Sequence, residues 1–98
     1  MSVKHLRERN LEKAISGYKK ALKVLKKAKS SVEHSEVLVL MGNAYGTLAE
    51  VRDKEKNAKL AIAAFKAALV IFTKDSYPEY YKLVSRNLSY AQSQLTNN

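Results

Sequence analysis

The chain has no cysteine and no tryptophan, a single proline and only three glycines among 98 residues. Without cysteine there are no disulfide staples, no cysteine-ligated zinc and no thiol nucleophile, so stability must come from packing. Histidine is nearly as scarce. His5 and His34 have no second histidine, and no well-spaced carboxylate pair on their own helix faces, so no metal-ligand spacing is present. Glu33, Glu36 and Glu50 lack a partner with which to divide acid and base roles, and no serine sits in a nucleophile-elbow sequence. The expectation is a protein that is not an enzyme and carries no metal or cofactor.

Long apolar runs are missing too. The most apolar window, "LAIAAFKAALVIF" from Leu60 to Phe72, contains Lys66 and falls short of the roughly 20 residues that cross a bilayer. The start, MSVKHLRERN, lacks the apolar core and small-residue cleavage site of a secretory signal. A cytoplasmic protein with no membrane partner is expected.

What the chain does have is helical periodicity. Four segments are read, at about 3–28, 32–52, 54–73 and 78–96, and none has strand alternation, so the fold class is all-α. In the first, Leu11, Ala14, Ile15, Tyr18, Ala21, Leu22 and Leu25 share one face. Ser30 and Glu33 have capping-box spacing, as do Ser76 and Glu79, and Asp53 stands as the N-cap of the third segment. The third segment buries Leu60, Ala61, Ile62, Phe65, Ala68, Leu69 and Phe72, and the fourth Tyr81, Val84, Leu88, Ala91 and Leu95.

The segments repeat. Shifted by 47 residues without a gap, "ERNLEKAISGYKKALKV" (8–24) lies over "EKNAKLAIAAFKAALVI" (55–71), and the same shift pairs Val37 with Val84, Met41 with Leu88, Ala44 with Ala91 and Leu48 with Leu95. One domain spanning 1–98 is expected, built from two tandem helical hairpins at about 1–51 and 52–98, the mark of a solenoid fragment.

These residues resemble the tetratricopeptide repeat, in its long-period variety. Leu38, Met41, Gly42 and Tyr45 match that family's first helix; Ala61, Phe65 and Ala68 match its second, and Ala14, Tyr18 and Ala21 repeat the second-helix pattern. "GNAYGTLAEV", "AIAAFKAALVIFT" and "YPEYY" are similar to elements that recur in long-period arrays. The last segment keeps only the framework, with Ser85, Leu88, Ser89 and Gln92 where Leu38, Met41, Gly42 and Tyr45 stood, as a terminal cap would.

The resemblance implies a scaffold that binds a protein or peptide in a concave groove lined by the second and fourth helices. Carried over position by position, the groove would present Glu36, Val39, Asn43, Gly46 and Thr47 from the second and Leu83, Arg86, Tyr90, Ser93 and Gln94 from the fourth. Asn43 and Asn87 match the asparagines with which some members hold a peptide's terminal carboxylate, but Val39 replaces the lysine of that clamp. The array begins half-way through a unit, so the first helix would pack either in its own chain or on a second copy, a homodimer through terminal helices.

Charge is the remaining signal. Of a net +9, residues 1–29 carry ten Lys/Arg against two Glu, a balance of +8. Lys13, Lys20, Lys23 and Lys27 form a basic face on the first helix, which points to an acidic partner. The alternative function is a small basic helical domain that binds nucleic acid through that face; aromatic interleaving and a reader motif are absent from it.

Overall fold

The computed structural model describes residues 2–96. In chain order it contains α1 (Val3–Lys27), α2 (Ser31–Ala49), α3 (Lys54–Ala68) and α4 (Pro78–Thr96), with no strand among the described residues. The all-α reading holds. α2 packs against α1 on one side and α3 on the other, α3 packs against α4, and α2 meets α4; α1 touches neither α3 nor α4. Helical hairpins stacked in this way give a slab of 42 × 30 × 18 Å, whose shortest dimension is two packed helices deep.

The starts of α1 and α3 and both ends of α4 fall where the sequence places them, whereas the end of α1, both ends of α2 and the end of α3 depart for local reasons. α1 ends in a Schellman motif: Ser30 N–H donates to the Leu25 carbonyl (3.0 Å) and Lys29 N–H to the Lys26 carbonyl (3.1 Å), with Lys29 in the left-handed region at φ 59°. Ser30 does occupy the N-cap of α2, but its side chain makes no capping bond. Its N–H, which a capping box would hand to Glu33, is already committed to Leu25. Lys29→Gly is expected to raise stability by about 0.5–1 kcal/mol, the relief of left-handed strain less glycine's extra chain entropy, as read from urea unfolding.

α2 stops at Ala49, and Asp53 takes φ 43°, a conformation in which its carboxylate makes no cap to α3. Asn57, a buried residue one turn inside α3, instead returns its Nδ2 to the Arg52 carbonyl (3.0 Å), while its own N–H donates to the Asp53 carbonyl (2.9 Å). Arg52 ties this turn to α1, donating to Glu12 at 2.7 Å with Glu8 at 3.7 Å. These acids hold the Arg52 pKa above its ordinary value, the hydrogen bond it donates to Glu12 first among the causes.

α3 stops at Ala68, short of 73, because Val70, Ile71 and Thr73 are β-branched and poor continuers of a helix; the segment winds on through single turns. Phe72 is nonetheless completely buried, stacked on Tyr80 (centroids 4.1 Å apart) and edge-on to Tyr77 (5.3 Å). α4 begins at Pro78, which leaves Ser76 one residue outside the N-cap. Its N–H donates instead to the nearer Thr73 Oγ1 at 3.3 Å. Proline at the first helical position lacks only an N–H that would have had no helical partner.

The core lies where α2, α3 and α4 meet. Ala58, Ala61 and Ala68 of α3 are fully buried, and these small side chains let the flanking helices close in on Phe65, Phe72, Val84 and Ala91. α1, with a single neighbour, has only Ile15 as a buried residue. It packs in its own chain, on α2.

Candidate functional site

Where α2 and α4 run side by side, three side-chain bonds join them. Tyr80 Oη donates to Glu36 Oε2 (2.5 Å), Asn87 Nδ2 to Asn43 Oδ1 (3.0 Å) and Tyr90 Oη to Glu50 Oε2 (3.5 Å). Between the last two bonds lies a cleft of about 520 Å³. Its floor is the ring of Phe65 from α3, and its walls carry Asn43, Thr47 and Glu50 on α2 and Arg86, Asn87 and Tyr90 on α4.

Two glycines shape this space in opposite ways. At Gly42 an added Cβ would stand 2.5 Å from Phe65 Cε1, so this glycine is the point where α2 and α3 touch. At Gly46 an added Cβ would meet nothing within 4 Å, so the missing side chain is open volume in the cleft. Asn43 stands between them and shares its side chain with Asn87.

The cleft offers mixed chemistry. Arg86 is exposed and, among the described residues, makes no ion pair, leaving its guanidinium fork for a carboxylate. Asn43 accepts from Asn87 through Oδ1, which leaves its own amide N–H groups to donate. Thr47 spends its hydroxyl proton on the Asn43 carbonyl (3.0 Å) and can only accept. Tyr90, 55% exposed, presents an aromatic face, and Glu50 supplies the one acid.

Six of the residues expected in a groove thus line the cleft: Asn43, Gly46, Thr47, Arg86, Asn87 and Tyr90. Leu83 and Ser93 lie outside its lining, and three more do not reach it. Val39 is 5% exposed and belongs to the core. Gln94 is 7% exposed, with its Oε1 buried and unpaired among the described residues. Glu36 is held by Tyr80 outside the cleft. Glu50 was missed, although it lies one turn beyond Gly46 and two beyond Asn43 on the same face of α2, a spacing visible in the chain.

The Glu36 link has a pH signature. Its hydrogen bond to the carboxylate, then burial, push the Tyr80 phenol above its ordinary pKa. A raised pKa in the folded state means stability that is complete below the ordinary tyrosine range and is lost as pH rises through the raised value. Tyr80→Phe is expected to cost about 1 kcal/mol near neutrality and to flatten the loss of stability above roughly pH 10, as read from urea unfolding across that range.

The basic face predicted on the first helix is present, with Lys13, Lys20, Lys23 and Lys27 all exposed on α1. It lies on a helix that does not meet α4, so cleft and basic face are separate surfaces. No described helix is long and apolar enough to cross a membrane, and no three His, Cys, Asp or Glu side chains among the described residues gather as a metal site. No family model, curated protein or solved structure matches the chain.

Proposed function

We propose that this chain is a non-catalytic, tetratricopeptide-like module that binds a protein or peptide segment in the α2–α4 cleft. The observation that carries the reading is the cleft itself. An apolar floor at Phe65, an exposed aromatic at Tyr90 and a guanidinium at Arg86 that makes no ion pair among the described residues converge on space that Gly46 leaves open. Tyrosine and arginine around an apolar pocket are the residues that dominate interface energetics. Asn43 and Asn87 would hold backbone or terminal-carboxylate groups of the bound segment, with Arg86 giving a preference for acidic side chains. Val39, buried where the clamp lysine would stand, removes one charge from that site, so a free C-terminus is one acceptable ligand and not a requirement.

The test is selection from a displayed peptide library on the wild-type protein, with the isolated peptides titrated into Asn43→Ala/Arg86→Ala. Both side chains stand at the cleft surface, so the double variant should keep its fold. Loss of affinity by roughly tenfold or more is expected for two polar contacts at an interface centre. Peptides that bind the double variant as tightly as wild type would overturn the assignment.

A further inference from the structure

The internal repeat shows what α1 lacks. Under the 47-residue shift α1 corresponds to α3 and α2 to α4, so the α1–α2 contact is the counterpart of α3–α4. α3 has a second neighbour, α2, and α1 has none in that position. The burial of matched residues records the difference. Asn57, Ala64 and Phe65 are buried on α3, whereas their counterparts Asn10 and Gly17 are exposed and Tyr18 is only half-buried. The same side of α1 carries large apolar groups in water at both ends, with Val3, Leu6 and Val24 exposed by 83, 52 and 67%. Scattered single apolar residues need no explanation; a run along one helix face whose twin is covered does.

The surface that covers the twin indicates the chemistry of an occupant. α2 approaches α3 through Gly42, set against Phe65, so a small residue on the occupant would admit the ring of Tyr18. The charge of the occupant follows from α1 itself. Its only acids, Glu8 and Glu12, are drawn to Arg52, while Lys13, Lys20 and Lys27 beside the open face make no ion pair among the described residues. A second copy is a poor fit. The α4 residues matching Ser35, Leu38, Gly42 and Tyr45 are Lys82, Ser85, Ser89 and Gln92, which form a polar surface, and α1 against α1 would set two strongly basic helices together.

We infer that the open face of α1 docks an acidic amphipathic helix of another protein, seated on Tyr18 and Gly17 as α2 is seated on Phe65, with its acids against Lys13, Lys20 and Lys27. The site is distinct from the α2–α4 cleft and does not depend on it.

The probe is a fluorescein-labelled helical peptide carrying Leu, Gly, Tyr and Ala at the spacing of Leu38, Gly42, Tyr45 and Ala49, with glutamate and alanine elsewhere, followed by anisotropy with the full chain. Saturable binding is expected, weakened by roughly tenfold or more in Gly17→Gln and in Lys13→Glu/Lys20→Glu/Lys27→Glu, and unchanged in Asn43→Ala/Arg86→Ala. Nothing lies within 4 Å of a Cβ at Gly17, so Gly17→Gln should unfold no earlier than wild type and the loss would be one of binding. Equal binding by Gly17→Gln and wild type would overturn the inference, as would loss confined to the cleft variant. So would a sedimentation mass of twice the chain that falls to one in Gly17→Gln, the result for a second copy, or a duplex oligonucleotide that binds through the three lysines where the peptide does not.

Discussion

Phe72→Ala is expected to cost about 4 kcal/mol, as truncating a completely buried aromatic removes its transfer energy and leaves a cavity. Phe72 is fully buried, and its stacking on Tyr80 and edge contact with Tyr77 add to its area. It also lies in the turn between α3 and α4, so it is the side chain that fixes how α4 returns. A domain of this size holds on the order of 5–15 kcal/mol in all. The variant should therefore lose on the order of 20 °C in Tm, and Phe72→Leu, which keeps most of the volume, about half as much or less. Thermal unfolding followed by circular dichroism reads both. A shift of only a few degrees in Phe72→Ala would mean that the α3–α4 junction is held by something else.

The two glycines of "GNAYG" should respond to alanine with opposite signs. At Gly42 the new methyl would lie 2.5, 2.8 and 2.9 Å from three atoms of the Phe65 ring, which is 2% exposed and has little room to swing. Overpacking of this kind costs about 1–3 kcal/mol, against about 1 kcal/mol gained in helix propensity, so a net loss of about 1–2 kcal/mol is expected. At Gly46 only the propensity gain operates, and Gly46→Ala should be stabilised by about 1 kcal/mol. Urea unfolding of the pair, four residues apart on one helix, separates close approach from open volume. Phe65→Leu, which shortens the opposing ring, should recover part of the Gly42→Ala loss. The same Gly46→Ala protein narrows the cleft, so it should be more stable than wild type and bind cleft peptides less well.

The contrast between these glycines shows how much was legible in the chain. The helical period and the 47-residue repeat placed four helices and the buried faces of α1 and α3, apart from Leu60, which is exposed, because burying an amphipathic stripe leaves few arrangements. Gly42 was readable as a contact through its place in the repeat. The helix ends were less legible. Ser30, Asp53 and Ser76 have the residue types of caps, yet each cap was pre-empted by a neighbour: the Schellman bond to Leu25, the side chain of Asn57, the hydroxyl of Thr73. Asn57 left a trace as one of the residues conserved between the two copies of the repeat, with Asn10 its counterpart. For the site, positions read along one helix face found Asn43, Thr47, Arg86, Asn87 and Tyr90. Val39 and Gln94 failed because the contact angle between α2, α3 and α4 turns those positions inward, and no pattern within a single helix carries that angle.

Cleft and basic helix present two surfaces of different chemistry on one small chain. The first reads polar and aromatic groups around open space, the second apolar area bordered by lysines. Keeping them on separate helices would let two partners be held at once, which is what a scaffold requires.

The central claim, that the α2–α4 cleft is the peptide-binding surface, is tested most directly by amide chemical-shift mapping of the wild-type chain titrated with library-selected peptides. The account predicts shifts concentrated at Asn43, Gly46, Thr47, Arg86 and Tyr90, absent with Asn43→Ala/Arg86→Ala. Shifts confined to α1, or shifts at the cleft that persist undiminished in the double variant, would contradict it.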